Sequence, residues 1–102
     1  MVNKQTKSLI SKQKLDKYFE ITGRAITAAK KAGISAKRKG MKAEAEDFLD
    51  MAERYYSDAK HFMAKGDYVT AFAALNYAHG WLDAGARIGL FDVYDSELFT
   101  VD

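Results

Sequence analysis

Asp58 and His61 stand three residues apart in a regular helical stretch, a spacing that puts a carboxylate and an imidazole on one helix face, where they could share a metal ion. A di-metal bundle needs that unit twice, with glutamates from two further helices, and residues 1–40 offer only Asp16 and Glu20. The ligand count argues against a metal site, and no cofactor is expected. Asn76, His79, Asp83 and Arg87 form a second polar set, a line along the last helical stretch. They read as a polar ligand site or as the narrow solvent face of that helix, with Asp83 and Arg87 as an ion pair worth roughly a few tenths of a kcal/mol. Lys30, Lys31, Lys37, Arg38 and Lys39 form a third set, a patch that could contact the phosphates of RNA or DNA. There is no glycine-rich phosphate loop and no Ser/His/acid set, and the chain has no cysteine. No catalytic residue is assigned, and the protein is expected to be non-enzymatic.

Helical periodicity runs through most of the chain and predicts an all-α, up-down-up three-helix bundle. Residues 1–7 lack periodicity and are expected to fray, leaving one domain over 8–102. The first helix, about 9–32, starts at Ser8 or Ser11 and carries Leu15, Tyr18, Phe19, Thr22, Ala25, Ile26 and Ala29 at spacings of three and four. Lys30 and Lys31 suit its negative end, and Gly33 can take a left-handed cap. SAKRKG, residues 35–40, is a basic connector. The second helix, about 40–64, repeats Met41, Ala45, Phe48, Ala52, Tyr55, Ala59 and Phe62 and stops at Lys65-Gly66. Asp67 caps a third helix at once, so the two form an antiparallel hairpin.

The third helix, about 68–88, is apolar on two stripes. One is Ala71, Leu75, Ala78, Leu82 and Gly85; the other is Ala74, Tyr77, Trp81, Ala84 and Ile88. A helix this apolar needs two neighbours or a second copy of the protein. If the first helix covers one stripe, Tyr77, Trp81, Ala84 and Ile88 remain as a contact stripe for a protein partner or a homo-oligomer. Trp81→Ala is expected to weaken such association and leave helical content intact. The tail LFDVYDSELFTVD has too much apolar surface for a disordered segment and can dock on the bundle.

The net charge of +2 conceals a polarised chain. Residues 1–40 hold eleven Lys or Arg against two acids, a balance of +9, and residues 41–102 hold five against twelve, a balance of −7. The basic first helix can lie against the acidic second, or the basic part can meet nucleic acid. No stretch has the roughly 20 apolar residues that cross a bilayer, MVNKQTKSLI is no signal peptide, and a cytoplasmic protein without membrane partners is expected.

Within residues 43–93 the string AEDFLDMAERYYSDAKHFMAKGDYVTAFAALNYAHGWLDAGARIGLFDV closely resembles a small, mostly archaeal family known as domain of unknown function 357. The resemblance implies a small helical bundle and carries no mechanism. The hairpin FMAKGDYVTAFAALNYA is similar to the turn of a tetratricopeptide repeat, but residues 1–40 contain no second copy. Arg54 and His61 loosely resemble the Arg and His pair of ribonucleases in the higher eukaryotes and prokaryotes nucleotide-binding superfamily. That pair would sit here on the wrong helix, with Tyr55 where a polar residue is usual.

Overall fold

Serine 11 begins the first helix, α1 (Lys12–Ala32): its backbone is extended and its Oγ accepts the Lys14 N–H at 3.1 Å. The computed structural model describes residues 10–100, so Ser8, the expected fray of residues 1–7 and Val101 lie outside the described residues. Helix α1 buries Leu15, Thr22, Ala25, Ile26 and Ala29, the stripe that periodicity predicts. Its end differs from expectation. Gly33 has φ 72° but ψ −178°, so the chain leaves in an extended path and forms no left-handed cap. The Gly33 carbonyl instead accepts the Asp92 N–H at 2.9 Å.

The connector is a short 3-10 segment, Ala36–Met41, and α2 (Lys42–Ala64) follows it. Helix α2 buries Ala52 and Ala59 and packs Phe48, Leu49, Tyr56, Phe62 and Met63 on the core. It ends in a Schellman motif: Gly66, at φ 79°, donates to the Met63 carbonyl, and Asp67 donates to that of Phe62. The Asp67 carboxylate then accepts the Thr70 N–H at 3.1 Å and starts α3 (Tyr68–Arg87). Two caps within three residues turn the chain back on itself, and α2 and α3 are antiparallel. Tyr18 packs edge-on against Phe72, and Thr22 meets His79. These contacts set α1 parallel to α3, so the fold is the expected all-α, up-down-up three-helix bundle.

Alanines line much of the core. Near the hairpin, Leu15 and Leu75 pack with Ala59, Ala71 and Ala74. At the opposite end the helices contribute Ala25, Ala29, Ala52 and Ala86 alongside Ile26 and Leu82. Small side chains let helices approach but leave volume unfilled, and here the tail fills it. Leu90, Phe91, Val93, Leu98 and Phe99 are all buried. The chain reaches them through a second Schellman motif, in which Gly89, at φ 84°, donates to the Ala86 carbonyl and Leu90 to that of Gly85. The tail then runs back along α3, where Leu98 meets His79 and Thr100 meets Asp83.

Candidate functional site

Helix α3 has four distinct sides. Ala71, Ala74, Leu75, Ala78, Leu82, Gly85 and Ala86 face the core. His79 and Asp83 face α1 and the tail. Trp81 faces α2, its ring edge-on to Phe48 at 4.9 Å between centroids. The remaining side looks outward and carries Val69, Ala73, Tyr77, Gly80, Ala84 and Ile88, all six exposed, with Val69 at 50 %, Tyr77 at 62 % and Ile88 at 42 %.

This arrangement divides the expected contact stripe. Tyr77, Ala84 and Ile88 are exposed, whereas Trp81 is half-buried. Trp81 belongs to the bundle because its position on the helix points toward α2 and the Phe48 ring offers it an aromatic partner. The expectation that Trp81→Ala spares the fold is therefore corrected. The variant should lose about 1–2 kcal/mol of stability, read as a lower urea midpoint with unchanged slope. An unchanged midpoint would place the indole outside the packed structure. Val69, Ala73 and Gly80 join the face in its place; their i, i+4 and i+3 spacing with Tyr77 and Ala84 was visible, but not which side would stay uncovered.

The polar line is neither an open ligand site nor a simple solvent face. His79 Nε2 contacts the Leu98 carbonyl at 2.5 Å, and Nδ1 lies 3.2 Å from the Thr22 hydroxyl. A carbonyl only accepts, so Nε2 donates to it; in the neutral ring Nδ1 then accepts from Thr22, whose side chain is buried. Asp83 accepts the Thr100 N–H at 2.9 Å and the Thr100 hydroxyl at 3.2 Å. His79 and Asp83 thus latch the tail to α3 and α1. Asn76 and Arg87 are exposed beside them.

Two of the five basic-patch residues are engaged within the chain. Lys30 pairs with Glu53 of α2 at 2.9 Å, and Arg38 donates to the Ile88 carbonyl at 2.8 Å, capping the end of α3. The first pair fits the reading in which the basic helix lies against the acidic one. Lys31, Lys37 and Lys39 are exposed. Arg54 pairs with Asp50 at 2.7 Å, and His61 is exposed with its ring against Phe62. Among the described residues no group of three or more His, Cys, Asp or Glu is placed to hold a metal ion, and no helix is long and apolar enough to cross a membrane.

Among the described residues two ionisations are displaced. Hydrogen bonds from Thr70 hold the Asp67 carboxyl below its ordinary value, so the cap's contribution is present above that ordinary value and is lost as pH falls through the lowered one. Donation to the Asp92 carboxylate, at 2.6 Å, raises the Tyr94 phenol. Both groups are at the surface and neither marks a reactive centre.

No curated protein and no solved structure matches the chain. A family described as "Protein of unknown function (DUF357)" matches residues 17–91, which extends the resemblance back through most of α1. That span covers the greater part of the bundle, and the chain belongs to the DUF357 family.

Proposed function

We propose that this protein is a non-enzymatic, cytoplasmic protein-interaction module whose contact surface is the outer face of α3. One observation carries the reading. Among the described residues the exposed large hydrophobic side chains are Val69, Tyr77, Ile88 and Tyr94, and the first three share that one face. Scattered apolar residues on a surface are ordinary, whereas a continuous apolar helix face is a docking surface. Between Val69 and Ala84 the face bears no charged residue, as the centre of a protein interface requires, and the exposed Arg87 stands at its rim. Nucleic-acid binding through Lys31, Lys37 and Lys39 is the competing reading, weakened by the intramolecular engagement of Lys30 and Arg38.

Ala84→Glu tests the proposal, because Ala84 is exposed and glutamate is a good helix former. The variant should keep its helical circular dichroism and stay within about 0.5 kcal/mol of the parent in stability. Tagged in its own cells, the parent should recover protein partners that survive nuclease treatment, and Ala84→Glu should lose them. Partners that vanish with nuclease, or that ignore Ala84→Glu, would overturn the proposal and favour the exposed lysines.

A further inference from the structure

We infer that the occupant of this face is a second copy of the chain, laid antiparallel so that the two α3 helices cross a two-fold axis between Ala78 and His79. The inference rests on the reading of the outer face as a docking surface. It is carried by the order of residues along that face. About the midpoint between Ala78 and His79, Val69 mirrors Ile88, Ala73 mirrors Ala84, and Tyr77 mirrors Gly80. Large apolar residues mark both ends, small ones lie inside them, and the centre pairs the largest side chain with the smallest.

A two-fold interface is self-complementary: what residue i meets on the partner, the partner's copy of that residue meets here. Antiparallel pairing sets Val69 against Ile88 of the second copy and Ala73 against its Ala84. Tyr77 lands on the gap at the second copy's Gly80. An unrelated partner imposes no such mirror order on a single helix.

Gly80 supports the same occupant. Glycine inside a helix is less favourable than alanine by roughly 0.5–1 kcal/mol. Within the chain nothing calls for it: no heavy atom lies within 4 Å of where a Cβ would stand, and the backbone is ordinary helix. Tyr77 stacks one side of its ring on Tyr55, with centroids 5.2 Å apart, and yet stays 62 % exposed. A neighbouring tyrosine approaching the glycine accounts for both observations.

Charge selects the orientation. Asp67 caps the start of α3 and Arg87 stands in its last turn. In the antiparallel pair Arg87 of one copy comes within one turn of Asp67 of the other at both ends, and the two helix dipoles oppose. A parallel pair would set Asp67 beside Asp67 and Arg87 beside Arg87.

The chain has no cysteine, so single cysteines report the register directly. Val69→Cys and Ile88→Cys proteins are prepared separately, then oxidised alone and mixed. In the antiparallel pair positions 69 and 88 of opposite copies adjoin, whereas the two copies of position 69 are about 28 Å apart, far beyond the roughly 7 Å that a disulfide spans. Only the mixture should give a cross-linked dimer. In sedimentation equilibrium the parent should dimerise, and Gly80→Glu should raise the dimer dissociation constant at least tenfold with helical content retained. Cross-linking of Val69→Cys alone would replace the antiparallel pair with a parallel one. A parent that stays monomeric at millimolar concentration, with no cross-link, would reject the second copy. If that monomer still loses cellular partners on Ala84→Glu, the docking surface stands and only its occupant is wrong.

Discussion

Gly85→Ala is expected to destabilise the fold by about 3 kcal/mol, although alanine is the better helix former by roughly 1 kcal/mol. A Cβ at Gly85 would overlap the Phe91 ring at Cε2 and stand 2.7 Å from its Cδ2. Phe91 cannot step aside cheaply, because it is 3 % exposed and packs in the cluster with Ala29, Leu82 and Phe99. Gly80→Ala is the matched control on the same helix. Nothing lies within 4 Å of its Cβ, so the monomer should gain about 0.5–1 kcal/mol from propensity alone. Urea unfolding at concentrations that keep the chain monomeric reads both. One substitution thus has opposite signs five residues apart, and equal midpoints for the two variants would show that Phe91 does not seat against Gly85.

That contrast also marks the limit of what the sequence discloses. Lys65-Gly66-Asp67 is legible because every contact in it is local: the glycine takes a positive φ, the aspartate caps the next helix, and the two helices must reverse. The periodic stripes of α1 and α2 are legible for the same reason. Gly85 is different. Its partner is Phe91, which reaches it only because the chain reverses at Gly89, and a glycine near a helix end looks the same whether it caps or makes room. Trp81 fails likewise: its place on an apolar stripe was visible, but whether Phe48 or solvent lay beside it depends on how α2 and α3 are set against each other. Arg38 reads as part of a phosphate patch until the connector folds and presents it to the Ile88 carbonyl. His79 and Asp83 read as one polar line because their partners, Leu98 and Thr100, arrive from the far end of the chain.

The tail supplies the other large expected effect. Phe99→Ala should destabilise the whole protein by about 3–5 kcal/mol, a loss as great as for a side chain within a helix. Phe99 is 2 % exposed, and the helices around it offer mainly alanines. Of the six buried helix residues in that cluster four are Ala25, Ala29, Ala52 and Ala86, whose short side chains cannot reach into the vacated space, so much of the cavity should persist. The exposed Tyr94 serves as control, and Tyr94→Ala should stay within about 0.5 kcal/mol of the parent. Global unfolding in urea, followed alongside amide exchange in α1 and α3, separates two outcomes. If the tail completes the core, Phe99→Ala lowers protection across both helices together with the unfolding midpoint. If the tail were a detachable flap, only amides near His79 and Asp83 would lose protection and the midpoint would hold. The burial of Leu90, Phe91, Val93 and Leu98 beside it argues for the first outcome, since a flap with five buried apolar side chains could not open without exposing the end of the bundle.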